Sequence, residues 1–252
     1  MSGEWFFSKQ SILRILKRKT IVTGHYGSGK TEFAVSIALQ VAHLKNRSDS
    51  FASLASYART ALVDLDIINP YFRSREKRGL LESKGIAVYG SAYDDDEVTL
   101  ELPALGATVR TPLEDTDCRT IIDLGGNDSG ALIINQFSKY FSDDDTTVVA
   151  VVNANRPETS TAQTALEHIK AIENITGLTI TAIVNNTHML HETTVADIIR
   201  GYELCTEVCK VSGKELLCNC YPERIINPVT LDAISGNLMP LGLYLRPTWL
   251  DK

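Results

Sequence analysis

Apolar runs recur along the chain at residues 21–23, 61–65, 86–89, 120–124, 146–152 and 179–184, and most are separated by segments with helical periodicity. Short runs without a polar alternation are what strands look like when both faces are buried. Phe33, Ile37, Val41 and Leu44, with Ala34, Ala38 and Ala42, show the other period and fall on one side of a helix. Strand and helix in alternation predict an α/β fold, a mostly parallel sheet with helices on both faces. Ligands of such sheets bind beyond the carboxyl ends of the strands. The residues just after each apolar run therefore carry the functional information.

The chain has 252 residues, 44% of them hydrophobic, enough for one large core without an internal linker. The simplest division is an N-terminal amphipathic extension over 1–18 and a single domain over 19–252. A net charge of −6 and a pI near 5.4 argue against an electrostatic grip on DNA. No apolar segment approaches the ~20 residues that span a bilayer. The extension mixes Trp5, Phe6, Phe7, Ile12, Leu13, Ile15 and Leu16 with Lys9, Arg14, Lys17, Arg18 and Lys19, which breaks up the apolar core that a secretion signal needs. It reads as a helix docked beside the first strand, or as one that weakly touches an anionic membrane surface. Five cysteines without an export signal imply free thiols in a reducing cytoplasm. Cys205, Cys209, Cys218 and Cys220 lack common metal spacings and fit a helix face and a strand face. The acidic triplets at 94–96 and 143–145 read as solvated turns.

The clearest chemical signal follows the first run. Gly24-His25-Tyr26-Gly27-Ser28-Gly29-Lys30-Thr31 matches G-x-x-x-x-G-K-[ST] at every fixed position, between a predicted strand and a predicted helix. Gly24, Gly27, Ser28 and Gly29 would turn backbone N–H groups around an anion at a positive helix end. Lys30 would then reach the β/γ-phosphates, and the Thr31 hydroxyl would ligate Mg2+.

Two carboxylates stand where that loop could use them. Asp66 follows the second run, and in this buried setting Asp64 and Asp66 call for Lys30 or Mg2+ as compensation. Asp123-Leu124-Gly125-Gly126 has the D-x-x-G form, in which Asp123 holds a metal-bound water and the Gly126 N–H senses a γ-phosphate. The run 179–184 leads into Asn185-Asn186-Thr187-His188, a place where a base can be read. Guanine selection through N-K-x-D requires an aspartate where this chain has His188 or Met189, which favours adenine; alternatively, Asn185 and Asn186 merely build a turn. Residues 153–159 read as an ordinary helix start. Residues 46–59 form a long Ser-rich connection.

Together these motifs resemble the MinD/ParA/CobQ-like branch of P-loop ATPases, and most closely an uncharacterised bacterial group with G-S-G-K-T-E and D-L-D-I-x-N-P-Y-F-R-S-R-E. The resemblance covers most of residues 19–228 and implies a P-loop NTPase fold of MinD/ParA type, with ATP and Mg2+ as cofactors. It places Lys30 and Thr31 at phosphate and magnesium, Asp66 near the attacking water and Asp123 behind the metal. Asn185 and Asn186 would lie at the adenine, with Pro222 flanking it. The branch usually has a further lysine where this chain has His25, so ATP alone is not expected to drive a face-to-face homodimer. Residues 237–252, with Pro240, Pro247 and little positive charge, do not resemble the basic membrane helix of MinD.

The reading is thus a cytoplasmic, Mg2+-dependent ATPase acting as a switch or assembly factor on a protein client that the sequence does not identify. An ATP-dependent phosphotransferase or ligase stays open, with Arg73, Arg75 and the turn at 69–72 binding an acceptor. So does a nucleotide-binding module that does not hydrolyse.

Overall fold

Ile21 and Val22 are neighbours in sequence and both are fully buried, which a strand achieves only when each of its faces is covered. The same holds for Leu62 and Val63, for Ile121 and Ile122, and for Val148 and Val149. The structure, a computed structural model, describes residues 12, 15–45, 57–66, 75–90 and 102–245. In chain order it forms β1 (Lys19–Thr23), α1 (Lys30–Lys45), β2 (Arg59–Leu65), α2 (Arg75–Ser83), β3 (Ile86–Gly90), α3 (Leu102–Glu114) and β4 (Cys118–Leu124). Then follow α4 (Asp128–Leu132) with a 3-10 segment (Ile133–Tyr140), β5 (Thr146–Val152), α5 (Ala162–Thr176), β6 (Ala182–Asn185), α6 (Val195–Ser212), β7 (Glu215–Pro222) and β8 (Leu238–Leu241).

The strands make one eight-stranded sheet in the order β3-β2-β4-β1-β5-β6-β7-β8, and every pairing is parallel. One face packs Val22, Leu62, Ile121 and Val149 under Phe33, Ile37 and Val41 of α1. The other packs Ile21, Val63, Ile122 and Val148 with Val109 of α3, Phe137, Ile169 of α5 and Leu204 of α6. The chain builds β2, β3 and β4 on one side of β1 and β5 to β8 on the other. The sheet therefore changes winding direction at β1, where open α/β sheets place a ligand crevice.

Several elements differ from expectation. β6 starts at Ala182, three residues later than the apolar run. Neither β7 nor β8 coincides with an apolar run, although β7 bears out the strand face read from Cys218 and Cys220. Strand β7 reads Glu-Leu-Leu-Cys-Asn-Cys-Tyr-Pro, where cysteines and Asn219 dilute the signal. Strand β8 has four residues including Pro240, and it lies at the sheet edge, where proline costs least. The triplet at 143–145 is not a simple solvated turn. Asp145 bridges Arg18 at 2.6 Å and Lys19 at 2.9 Å, both of them buried. These two cations thus pin the start of β1 to the turn before β5. Ile12 and Leu16 belong to the core that holds Phe33, so the end of the proposed extension packs into the domain. Residues 1–11, 46–56, 67–74 and 91–101 lie outside the described residues, and with them most of the extension, the Ser-rich connection, Arg73 and the triplet at 94–96. No helix among the described residues is long and apolar enough to cross a membrane.

Candidate functional site

Between the end of β1 and the start of α1, the chain takes backbone conformations that side chains resist. Gly24, Gly27 and Gly29 have φ of 149°, 73° and 79°, so the motif's glycines are required by the turn itself. The Ser28 N–H donates to His25 O at 3.0 Å and closes the loop, and Phe33 N–H to Gly29 O at 3.0 Å begins the helix.

Strand register brings the acidic residues to this loop. Val22 pairs with Asp123 across β1 and β4, and Asp64 pairs with Asp123 across β2 and β4. Lys30 Nζ lies 2.7 Å from Asp66 Oδ2 with both side chains almost fully buried, and Asp64 Oδ1 accepts the Asp66 N–H at 2.9 Å. Asp123 is 2% exposed, and neither of its carboxylate oxygens has a hydrogen-bond partner among the described residues. Burial pushes its pKa up to about 7 against the pull of Lys30, while Asp64 adds to the rise, Thr31 opposes it and Asp66 adds further. A buried carboxylate with two idle oxygens beside a threonine hydroxyl suits a hard dication. Among the described residues, no group of three or more His, Cys, Asp or Glu side chains is arranged to hold a metal ion. A cation here would complete its shell with phosphate oxygens and water. Cys205, Cys218 and Cys220 are buried among core side chains, and burial pushes the Cys209 thiol up to about 11.

Gly126 closes the β4 side of the loop. A Cβ on it would fall 1.8 Å from Gly24 O and 2.5 Å from the Gly24 carbonyl carbon, so the two backbones are in direct contact. Gly126→Ala will lower stability by about 1–3 kcal/mol, because backbone cannot swing aside as a side chain can. The denaturant midpoint measures it, and an unchanged midpoint would refute the close approach.

The β5 side carries residues that sequence reading did not single out. Asn153, just past β5, donates to Gly27 O and His188 O at 3.3 Å each and accepts from Asn155 N–H at 2.9 Å and His188 N–H at 3.3 Å. Arg156 donates from Nε to Gly27 O at 3.1 Å. The segment 153–159, read as a helix start, is therefore also a brace for the loop, with Thr161 rather than its own residues capping α5. A polar Asn-x-Asn-Arg-Pro directly after a buried strand at the winding reversal was the available signal.

Asn186 donates to Ser28 O at 2.8 Å, so it is at the loop. Asn185 is not available to a base: its amide donates to Ile198 O at 3.0 Å and Asn219 Oδ1 at 2.9 Å, and its oxygen accepts the Thr187 N–H at 3.1 Å. A fully buried amide satisfies itself within the fold, here with helix α6 and strand β7, before it can serve a ligand. Pro222 ends β7, beyond β5 and β6 from the loop, and its carbonyl accepts Ile225 and Ile226 N–H at 3.1 and 3.0 Å. His25 packs edge-on to His168 with ring centroids 5.2 Å apart, and its Nδ1 contacts Tyr26 O at 3.0 Å and Glu158 at 3.7 Å.

Neither a family model nor a curated relative matches the sequence. Among solved structures, the chain is similar to the signal recognition particle receptor FtsY from Elizabethkingia anophelis in complex with GDP, at 19% identity and a TM-score of 0.45, over 82% of this chain and 62% of the receptor. It thus spans less than two thirds of the receptor's length. It is also similar to a nucleotide-binding protein from Archaeoglobus fulgidus in complex with ADP, at 12% identity and a TM-score of 0.37, over 71% of this chain and 70% of that one.

Proposed function

We propose that this chain binds ATP with Mg2+ and hydrolyses it, acting as a switch or assembly factor for a protein client in the cytoplasm. The observation that carries this reading is the convergence of Lys30, Asp66 and the unpaired carboxylate of Asp123 on a glycine loop at the sheet's winding reversal. Gly24, Gly27, Ser28 and Gly29 cradle phosphate through the backbone, Lys30 neutralises it and Gly126 senses the terminal group. Thr31 and Asp123 would hold magnesium, which would supply charge neutralisation to the phosphates. Asp66 positions the attacking water and trades its Lys30 contact for it as phosphate takes over the ammonium. Asn186 keeps the loop in register at Ser28, and the absence of an aspartate after it favours adenine over guanine. His25 turns toward His168 and Glu158, and its ring is shorter than a lysine side chain and reaches less far toward a partner's phosphates. Any homodimer is accordingly insensitive to nucleotide or built on another surface.

Phosphate release from Mg·ATP without an added acceptor tests the reading. Turnover is expected, and Asp66→Asn will lower it by about 100-fold while ATP still binds, as for a carboxylate that acts on the water. Tight binding without turnover in the parent protein, or turnover only with an acceptor, would overturn the hydrolase assignment.

A further inference from the structure

The β5 and β6 side of the loop carries hydrogen-bond donors that the account above does not use. Arg156 lies flat on Gly27: a Cβ there would meet its Nη2 at 2.5 Å, Cζ at 2.6 Å and Nε at 2.7 Å. Nε is spent on Gly27 O, and among the described residues no carboxylate pairs with the guanidinium. A cation braced by a carbonyl keeps its full charge and its outward N–H groups.

His188 comes from β6 onto the same loop. Its Nδ1 accepts the Leu190 N–H at 3.3 Å, which puts the ring proton on Nε2. Nε2 is buried without a hydrogen-bond partner and lies 3.2 Å from where a Cβ on Gly29 would stand. Burial, helped by the Arg156 charge, pushes this imidazole down to about 4, so it stays a neutral donor at physiological pH. A buried donor without an acceptor costs about 1–3 kcal/mol, a cost that a ligand can remove.

Arg156 and His188 thus flank Gly27–Gly29 with donors only, one of them cationic, on the opposite side of β1 from Asp66 and Asp123. We infer that they form a second phosphate contact, which grips the sugar-proximal phosphate of the nucleotide while Lys30 and Asp123 serve the distal end. A group that offers several lone pairs and negative charge, and no proton, is what this pair accepts, and a phosphate is that group. The inference rests on the nucleotide reading above and makes the phosphate grip a property of one subunit.

Titration of ADP and Mg·ATP into the parent protein, Arg156→Gln, His188→Phe, His188→Gln and Lys30→Ala tests it. Arg156→Gln and His188→Phe are each expected to weaken ADP and ATP alike by about tenfold, one charge-assisted hydrogen bond in size. His188→Gln keeps an N–H near the same place and will retain most of the affinity. Affinity of Arg156→Gln will also fall less steeply with added salt than that of the parent, since a screened charge contact has gone. Parent-like ADP binding by Arg156→Gln and His188→Phe, with binding lost in Lys30→Ala, would overturn the grip and leave the nucleotide site standing. Weakened binding by Arg156→Gln with an unchanged salt slope would reduce Arg156 to a prop for Gly27 and also overturn it. Parent-like binding by all the variants, Lys30→Ala included, would instead remove the nucleotide reading itself.

Discussion

Lys30→Ala will lower Mg·ATP affinity by at least ~100-fold, a loss of about 3 kcal/mol that follows from removing a desolvated cation from phosphate. The same change acts on the stability of the fold. Lys30 and Asp66 pair at 2.7 Å with almost no solvent access, so alanine leaves Asp66 as an uncompensated charge, which costs about 3–5 kcal/mol at such sites. Binding loss and destabilisation would then be confounded in a single variant. The double variant Lys30→Ala with Asp66→Asn separates them, because it removes both charges. It will recover most of the lost stability in chemical denaturation, and isothermal titration will still find ATP binding weak. If the double variant binds ATP as tightly as the parent, Lys30 does not contact phosphate. If Lys30→Ala alone unfolds at the parent's midpoint, the ion pair contributes nothing to the fold.

The parts of the site that were legible in the sequence are those whose chemistry is local. The loop from Gly24 to Thr31 declares itself because the turn demands glycine at fixed spacing, and Gly24, Gly27 and Gly29 do adopt positive φ. The central strands declare themselves because burial on both faces removes polar alternation, as at Ile121 and Ile122. Asp145 shows the limit of local reading: three aspartates in a row look solvated whether or not Arg18 and Lys19 reach them. Asn185 shows it at the site, since an asparagine that ends a strand looks the same whether its amide meets a base or, as here, Ile198 and Asn219. Arg156 is the converse. Its partner Gly27 is far away in sequence, and the sheet order, with β5 beside β1, makes them neighbours. Strand β8 escaped because a short edge strand containing Pro240 has too few buried positions to show a period.

Asp123 couples the stability of the protein to pH, and the sign follows from its burial. An aspartate in an unfolded chain titrates near 3.9, whereas burial pushes Asp123 up to about 7. The folded protein therefore binds this proton more tightly than the unfolded chain does. The stability it contributes is complete below about pH 4 and is lost as pH rises through 7, by up to about 4 kcal/mol for a shift near three units. Asp123→Asn has no proton to lose, so without ligand it will be more stable than the parent at pH 8 and will converge with it near pH 4. Magnesium inverts the comparison, because a dication needs the ionised carboxylate. With ADP present, added Mg2+ will raise the parent's melting temperature progressively between pH 5 and 8, and will do little for Asp123→Asn. Thermal melts of both proteins with ADP, with and without Mg2+, across that range decide it. Parallel pH profiles for the two metal-free proteins would show that Asp123 is not raised, and equal protection of both by magnesium would show that it does not serve the metal.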